Sequence, residues 1–309
     1  MIYTLTLNPA IDRTIYVDEI NHVDVTRVKT TRRDEAGKGV NVSKVIQSLE
    51  KSSICLGFLA GENGNYIKSQ LNSKGITNYF IEVRGETREN IKLIETSTNK
   101  VLELNEQGPI VTEDDINKLF EFMDTLLQKD DCLVISGSVP KGVDVSIYKE
   151  IIARYKRKGV VTILDASNEL FAKALESSPD IIKPNIYELE KYLGKELPEM
   201  KDVILECKKL VIDGVKQVIV SMGKDGALYV DCEHSVKFDV PLLKALSTVG
   251  AGDSFVAGIA VGLTKFDDPI EMIKYAASVG SASCLTEGTN PGSLEDVNEI
   301  YKKITLRNV

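Results

Sequence analysis

Segments of helical and of strand character alternate through the second half of the chain, and this alternation restricts the fold more than any other feature. After Gly108-Pro109, apolar residues recur at helical spacing in some segments and form short continuous runs in others. Predicted helices lie at 112–128, at 145–158 and before 211, and predicted strands at 132–136, 160–164, 181–182 and 218–221. A β-pair at 228–238 and three helices follow. This order predicts an α/β fold whose mainly parallel sheet carries helices on both faces.

Two β-rich blocks interrupt this order in the first half of the chain, at about 11–34 and 79–106. Around them, a strand at 2–7 and an amphipathic helix after Gly37 continue the α/β pattern. The alternating pattern of the second block fits antiparallel hairpins better than strand–helix–strand units. We therefore expect the two blocks to form one small β-sheet lid that stands off the main sheet. Because no linker, repeat or low-complexity tract divides the sequence, residues 1–309 are expected to form a single domain.

Composition and charge disfavour several classes of protein. The net charge is -8 and the isoelectric point about 5.1, so nonspecific binding to nucleic acid or to anionic membranes is not expected. The five cysteines form no CxxC pair and the chain has two histidines, which disfavours zinc sites, disulfide frameworks and Ser-His-Asp catalysis. No apolar run approaches the ~20 residues of a membrane span, and the amino terminus lacks the pattern of a signal peptide. We expect a cytoplasmic protein.

The sequence STVGAGDSFVAG at 247–258 places three small residues where a loop becomes a helix. A helix start offers free backbone N–H groups and the positive end of the helix dipole, and Gly250 and Gly252 let this backbone approach an anion such as a phosphate. The carboxylate of Asp253 beside such a site suits a base that deprotonates a hydroxyl attacking phosphorus. The alternative interpretation of this sequence is an ordinary glycine loop with Asp in the first turn of the helix. This segment alone does not decide between the two.

Other nucleotide-binding motifs do not fit the chain. The segment 250–253 lacks the Lys-Ser/Thr of a P-loop, and protein-kinase HRD and DFG signals are missing from the sequence. Asn8-Pro9-Ala10 stands where a Rossmann-type oxidoreductase would carry GxGxxG. Polar motifs follow the predicted strands at 8–12, 136–140, 165, 183–185 and 221–226. Since the carboxyl ends of parallel strands meet at one edge of a sheet, we expect these motifs to converge there.

Further motifs accompany the glycine segment in a fixed order along the chain. They are TLNPAIDRTIYV at 6–17, AGKGVNVSKVI at 36–46, GETREN at 85–90, SGSVPKG at 136–142, IIKPNIYELE at 181–190 and VSMGKDGAL at 220–228. Together with STVGAGDSFVAG they resemble the ribokinase-like sugar kinases of the phosphofructokinase B branch, over essentially the whole chain. Within that family the chain is most similar to 1-phosphofructokinases and tagatose-6-phosphate kinases. The resemblance implies a ribokinase-like fold.

The resemblance assigns roles at the predicted transfer site. Asp253 matches the catalytic base, and the amides of Gly250, Ala251 and Gly252 match the anion hole for the phosphoryl group. The acceptor sugar is expected to bind the following residues: Asp12, Gly37, Lys38 and Asn41. Asp12 is also explained as a turn residue after Asn-Pro.

A phosphorylated sugar bound to an acidic protein requires fixed cations. Arg88 is the best candidate, because arginine makes bidentate contacts with phosphate. The expected partners of Arg88 are Arg27, Lys38, Ser136 and Ser138. The alternative for Arg27 is the solvated face of the lid, which is where we expect Lys29, Arg32 and Arg33.

The sugar-binding signature departs from the family's pattern at one position. Ala36 stands where the family usually carries glycine, and Glu35 precedes it. The added methyl group is expected to narrow the sugar pocket or to shift the loop that contains Gly37.

Nucleotide-binding residues are expected in the motifs at 181–190 and 220–228. Asn185 and Glu188 form an N-x-x-E element that matches the family's organiser of Mg²⁺ and phosphate, with the ion held largely through water. A helix capping box explains the same pair. Lys183 is expected to reach a nucleotide phosphate. The ATP-binding turn is matched by Ser221, Met222, Gly223, Lys224, Asp225 and Gly226.

The sequence therefore predicts a kinase that transfers the γ-phosphoryl group of Mg·ATP to a ketohexose phosphate. Fructose 1-phosphate is the preferred acceptor, because NIKLIE at 90–95 and LNEQGP at 104–109 resemble the 1-phosphofructokinases. Tagatose 6-phosphate and fructose 6-phosphate are the alternative acceptors. A noncatalytic sugar-phosphate sensor would have lost the base or the glycines, and the chain retains both. A homodimer that pairs through the lid is also expected, because a small isolated sheet buries little of its own surface.

Overall fold

The computed structural model describes residues 1–21, 23–98 and 100–309; His22 and Asn99, in the predicted lid segments, lie outside the described residues. The first elements are β1 (Ile2–Thr6), β2 (Ala10–Val17), β3 (Val28–Ala36), α1 (Lys38–Ser48), β4 (Ser53–Leu59), α2 (Gly61–Ser73), β5 (Thr77–Glu82), β6 (Arg88–Glu95), β7 (Lys100–Asn105), α3 (Glu113–Leu126) and β8 (Cys132–Ser136). They are followed by α4 (Ile147–Lys156), β9 (Val161–Asp165), α5 (Asn168–Leu175), β10 (Ile181–Ile182), α6 (Ile186–Leu193), α7 (Met200–Ile212), β11 (Gln217–Ser221), β12 (Ala227–Val230), β13 (Ser235–Asp239), α8 (Ala251–Gly262), α9 (Pro269–Ser283), α10 (Leu294–Lys303) and β14 (Thr305–Asn308).

The large sheet has the strand order β14-β13-β12-β11-β10-β9-β8-β1-β4-β5. Neighbouring strands from β11 to β5 in this order run parallel, and β12, β13 and β14 are antiparallel. Central strands such as β8 are buried along their whole length because helices cover both faces of the sheet. The predicted α/β fold with a mainly parallel sheet is confirmed. Strand β14, which pairs with β13, was not predicted.

Helices divide between the two faces of the sheet. The core of one face contains residues of α3 to α7, among them Tyr148 and Phe171. The core of the other face contains residues of α1, α8, α9 and α10, packed against Tyr229 and Phe238 of the sheet. In the described part of the chain, no helix combines the length and the apolarity needed to cross a membrane. With both faces covered, a ligand can reach the sheet only at an edge.

The predicted lid is a separate four-stranded sheet in the order β3-β2-β6-β7. β6 and β7 form an antiparallel hairpin, whereas β2 and β6 run parallel. The predicted lid segment at 79–106 begins too early, since β5 pairs with β4 at the edge of the large sheet and the lid resumes only at Arg88. An edge strand that is buried on one side has the same alternating pattern as a lid strand, so the sequence could not separate them.

The lid rises from the carboxyl edge of the large sheet. β2 follows β1 after the turn at Asn8-Pro9, and β3 leads directly into α1 through Gly37. Gly37 has φ of +121°, and a Cβ there would lie 2.8 Å from Thr6 Cγ2, so only glycine fits this junction. The lid is thus joined to the helix that carries Lys38 and Asn41.

Candidate active site

The glycine segment forms the amino terminus of α8, as predicted. Gly250 is the N-cap with φ of +83°, and a Cβ there would lie 3.1 Å from Thr289 Cα. The first backbone N–H groups of a helix have no carbonyl partner within it, and they point outward with the positive end of the dipole. The amide of Ala251 donates over 3.3 Å to the carbonyl of Thr248, which leaves the amide of Gly252 as the stronger anion donor.

Asp253 lies in the first turn of α8 and is 8% exposed. Its Oδ2 accepts a hydrogen bond of 2.8 Å from Nδ2 of Asn41 in α1. Burial, and secondly the charge of Asp165, raise the pKa of Asp253 to about 6. A carboxylate with this pKa is ionised at neutral pH and is still basic enough to accept a proton from a hydroxyl during reaction.

A charged triad lies beside Asp253. Asp165, at the end of β9, is 3.1 Å from Lys38 Nζ and 3.4 Å from Lys183 Nζ. Burial alone would raise the pKa of Asp165, but the ammonium groups of Lys183 and Lys38 lower it below its ordinary value. Burial alone would lower the pKa of Lys38, but the carboxylates of Asp165 and Asp253 raise it. A Cβ on Gly252 would lie 3.7 Å from Lys183 Nζ. Two fixed cations therefore stand at the start of α8.

This triad was only partly predicted. The sequence marked Asp165 as a polar residue after a strand, but gave it no role, because nothing in its neighbourhood resembles a motif. The structure shows that Asp165 sets the positions of both lysines.

A cavity of about 420 Å³ extends from this triad along the carboxyl edge of the sheet. Its polar end is lined by Lys38, Asp165, Lys183, Asn185, Glu188, Ser221, Gly223, Lys224, Gly250, Gly252 and Asp253, and its apolar end by Val240, Pro241, Leu243, Phe255, Ala277 and Gly280. A slot with charged groups at one end and apolar walls at the other fits a nucleotide, with phosphates toward α8 and the base between apolar side chains.

The predicted ATP-binding turn lies only partly at this cavity. Ser221, Gly223, Lys224 and Gly226 line it, while Met222 packs against the core and Asp225 uses its carbonyl to accept from Lys237. Gly226 has φ of +80°, and a Cβ there would lie 1.9 Å from the carbonyl oxygen of Phe238. The turn therefore requires glycine for its close approach to β13.

Asn185 and Glu188 satisfy both interpretations of the N-x-x-E element. The Asn185 side chain accepts from the Glu188 amide over 2.8 Å, and Glu188 Oε2 accepts from the Asn185 amide over 3.0 Å, which is a complete capping box. Both side chains also line the nucleotide cavity, and Oε1 of Glu188 makes no hydrogen bond within the part of the chain that the structure describes. Among the described residues, no group of three or more His, Cys, Asp or Glu is arranged to bind a metal. One carboxylate suits Mg²⁺ that takes its other ligands from water and phosphates.

A second cavity, which is the candidate acceptor site, shares Lys38 with the nucleotide cavity. This cavity of about 230 Å³ is lined by Thr6, Asn8, Gly37, Lys38, Arg88, Gly137, Ser138 and Ser167. Arg88 is held by the Asn8 carbonyl, over 3.0 Å from Nη2 and 3.2 Å from Nε, and lies 3.5 Å from Ser138 Oγ. Burial lowers the pKa of Arg88, against the nearby charge of Asp12. A guanidinium fixed at this cavity suits the phosphate of the acceptor.

Asp12 lies on the inner face of the lid rather than in a turn. Asn90 Nδ2 donates to its carboxylate over 2.9 Å, and both residues line a cavity of about 900 Å³ beneath the lid. Three buried polar atoms near the acceptor side have no partner in the described residues: Thr6 Oγ1, Asn8 Oδ1 and Asn41 Oδ1. Thr6 and Asn8 line the acceptor cavity, where polar atoms of this kind are ready to bind the hydroxyls of a sugar, whereas Asn41 lines none of the cavities described here.

Some predicted acceptor residues lie elsewhere. Ser136 is fully buried below the sheet edge and Arg27 is exposed on the lid, and neither lines a cavity described above.

Arg32 was expected on a solvated face, yet it pairs with Asp34 over 2.6 Å and lines the cavity beneath the lid. Its guanidinium packs against Gly288, a contact between distant segments that local sequence does not reveal. Ala36 ends β3 opposite Ala10 and lines none of these cavities.

The model of the family described as pfkB family carbohydrate kinase matches residues 5–296. The chain is 36% identical over 306 residues to 1-phosphofructokinase of Bacillus subtilis, with 99% of each chain covered. It is 33% identical over 309 residues to tagatose-6-phosphate kinase of Staphylococcus epidermidis, again with 99% of each covered. A structure of the tetrameric inhibited form of phosphofructokinase-2 from Escherichia coli superposes with a TM-score of 0.90, at 30% identity and 98% coverage of each chain.

Proposed function

Because this chain belongs to the pfkB family of carbohydrate kinases, we propose that it transfers the γ-phosphoryl group of ATP to the 6-hydroxyl of fructose 1-phosphate, giving fructose 1,6-bisphosphate. The chain is a phosphotransferase with an alcohol acceptor. One observation carries the proposal. Lys38 lines both the nucleotide cavity and the acceptor cavity, and Asn41, on the same helix, donates a hydrogen bond to Asp253.

In the proposed reaction, Asp253 takes the proton of the acceptor hydroxyl as the new O–P bond forms. The bond from the γ-phosphorus to its bridging oxygen breaks, and ADP leaves with those electrons. Negative charge on the transferring group faces the Gly252 amide and the ammonium groups of Lys38 and Lys183. These groups are already fixed by α8 and by Asp165, so they stabilise the transition state without rearranging.

We propose that Mg²⁺ accompanies ATP, the phosphoryl donor used by this family. Asn185 and Glu188 would hold the ion through water, which agrees with their oxygen donors and with the capping box that fixes them. When bound, Mg²⁺ supplies positive charge that offsets the charge of the phosphates.

The choice of fructose 1-phosphate rests on two stretches that resemble the 1-phosphofructokinases, at 90–95 and 104–109. Both border the acceptor side: Asn90 holds Asp12, and the carbonyl of Gln107 accepts from Asn8 over 3.1 Å. The identities of 36% and 33% to the two bacterial kinases are close, so tagatose 6-phosphate stays an alternative acceptor. Fructose 6-phosphate is the third.

A coupled ADP-release assay with these three ketohexose phosphates tests the proposal. We expect the highest kcat/KM with fructose 1-phosphate. Arg88→Ala should lower kcat/KM for that acceptor by about 10–100-fold, because a charged hydrogen-bonded contact contributes roughly 1.5–3 kcal/mol, and the KM for ATP should stay unchanged.

The matched control is Arg84→Ala, which removes an exposed arginine four residues away and should have no effect. A higher kcat/KM with either other sugar would reject fructose 1-phosphate. No turnover of any of the three would reject the proposed function.

We also propose that the chain forms a homodimer through the lid. All residues of the edge strand β7 are exposed, including Val101, Leu102 and Leu104, each about half exposed. An open edge with apolar side chains favours pairing with another sheet. Light scattering should give twice the chain mass, and Leu102→Lys with Leu104→Lys should give the monomer. A wild-type monomer at micromolar concentration would contradict this proposal.

A further inference from the structure

A buried carboxylate lies at the base of the lid and takes no part in the chemistry described above. Glu35 is 2% exposed, and its Oε1 is 3.3 Å from Nζ of Lys44. The Lys44 ammonium also donates over 3.2 Å to the backbone carbonyl of Glu35. Lys74 contacts the same carboxylate oxygen. Lys44 is itself nearly buried, whereas Lys74 is about half exposed.

These three residues belong to three different elements. Glu35 is in lid strand β3, Lys44 is in α1 and Lys74 follows the last turn of α2. Glu35 pairs with Ile11 of β2, so it lies beside Asp12 in the sheet but points away from the sugar cavity, toward the helices. The ion pair therefore joins the base of the lid to the helix on which Lys38 and Asn41 stand.

The chain passes from the lid to α1 at Gly37, which packs closely against Thr6 and Pro9. Gly37, with φ of +121°, separates β3 from α1. On its lid side lies Asp12, held by pairing of β2 with β3, and on its helix side lies Asn41, bonded to Asp253. Rotation at this junction would change the distance between the residues that bind the sugar and the base that deprotonates it.

The ion pairs of Glu35 with Lys44 and Lys74 are better suited to fixing the position of the lid than to raising the stability of the fold. Burial would raise the pKa of Glu35, but Lys44 and Lys74 lower it below its ordinary value, so the carboxylate is charged at neutral pH. A buried ion pair adds little net stability compared with apolar side chains, while its directional contacts fix one arrangement. In the sequence, Glu35 was noted only as the residue that precedes Ala36, where the family usually carries glycine.

We propose that Glu35 is a positioning residue, which with Lys44 clamps the lid to α1 and so sets the acceptor site without touching the sugar. This inference rests on the proposed function, since it takes Asp12, Gly37 and Asn41 to bind the acceptor. The nucleotide cavity is lined mainly by residues of later elements, which the clamp does not contact. Loss of the clamp should therefore affect the acceptor far more than ATP.

The test compares Glu35→Gln and Lys44→Met with the double variant. Each single variant should raise the KM for the ketohexose phosphate at least about fivefold, within the range measured for coupled contacts, and leave the KM for ATP within about twofold. The double variant should be no worse than the poorer single variant, because Glu35 and Lys44 act through one shared contact that either substitution already breaks. Lys118→Ala, which breaks the exposed Lys118–Asp114 pair, should change neither KM.

Hydrogen exchange of the free protein gives a second readout that needs no turnover. Amides of β3 should exchange faster in Glu35→Gln and in Lys44→Met, with β13 unchanged. If the wild type phosphorylates no ketohexose phosphate, the proposed function fails, and exchange alone decides on the clamp. The clamp proposal would be overturned if the KM for the acceptor were unchanged, or if both KM values rose equally. Additive effects in the double variant, or unchanged exchange in β3, would also overturn it. If Glu35→Gln does not fold, Lys44→Met is judged by the same outcomes.

Discussion

Replacing Asp253 by Asn is expected to lower kcat by about 10²–10⁴-fold, the usual loss when a general base is removed. The amide has the shape of the carboxylate and can still accept the hydrogen bond from Asn41, so the site should keep its geometry. It cannot take the proton of the acceptor hydroxyl. Steady-state ADP release measures the loss, and the KM values for ATP and for the sugar should change little.

Stability of the same variant separates a lost base from a damaged fold. The pKa of Asp253 is about 6 in the folded protein and 3.8 ordinarily, so its stability contribution is complete below pH 3.8 and is lost as pH rises through 6. At pH 8 the buried charge destabilises the fold by roughly 3 kcal/mol. Asp253→Asn removes that charge, and its Tm should therefore rise.

Asp296→Asn is the matched control for Asp253→Asn. Asp296 occupies the same position in the first turn of α10 that Asp253 has in α8, and within the described residues its side chain hydrogen-bonds to the cap residue Ser293. This variant should keep full activity. Near-normal kcat in Asp253→Asn would show that Asp253 is not the base, whatever happens to the Tm.

Much of the fold could be predicted because its signals are local. Helical and strand periodicity run without interruption from β8 to β11, and a parallel sheet with two helical layers follows from that order. The glycine segment was recognisable for the same reason: loop, glycines, acid and apolar helix stand next to each other in the chain. The structure places it, as expected, at the carboxyl edge of the sheet.

What the sequence did not reveal depends on partners far away in the chain. Asp165 is 127 residues from Lys38, and no local pattern announces that pair. Arg32 has the sequence context of a solvated charge run, and only the fold brings it to Gly288. Glu35 was noted in the sequence only as the neighbour of Ala36, and its two lysines come from α1 and from the end of α2. Ion pairs between elements require tertiary structure to be found.

Replacing Asp165 by Asn is expected to have the second large effect, through the two lysines that it holds. Lys183 is almost fully buried, and removing its partner leaves an unpaired charge, which typically destabilises a protein by about 3–5 kcal/mol. The lysines would no longer be fixed beside α8, so kcat should fall as well. Thermal unfolding and ADP release measure the two effects.

The pH profile distinguishes this role from simple destabilisation. Asp253 must be ionised to act as a base, so kcat/KM should fall as pH drops below about 6 in the wild type. The charge of Asp165 contributes to that pKa, and its loss also leaves Lys38 and Lys183 free to favour the ionised form of Asp253. The acid limb of Asp165→Asn should therefore move to lower pH, although the enzyme is less active.

Asp180→Asn supplies the control for Asp165→Asn. Asp180 is also buried, and it pairs with Lys216 over 2.8 Å. It lies just before β10, at the amino ends of the parallel strands, whereas Asp165 lies at the carboxyl end of β9. The loss of Asp180 should lower the Tm and leave the acid limb in place, because it lies too far from Asp253 to change its ionisation. An acid limb that stays near pH 6 in Asp165→Asn, or that moves equally in Asp180→Asn, would contradict the electrostatic link between Asp165 and the base.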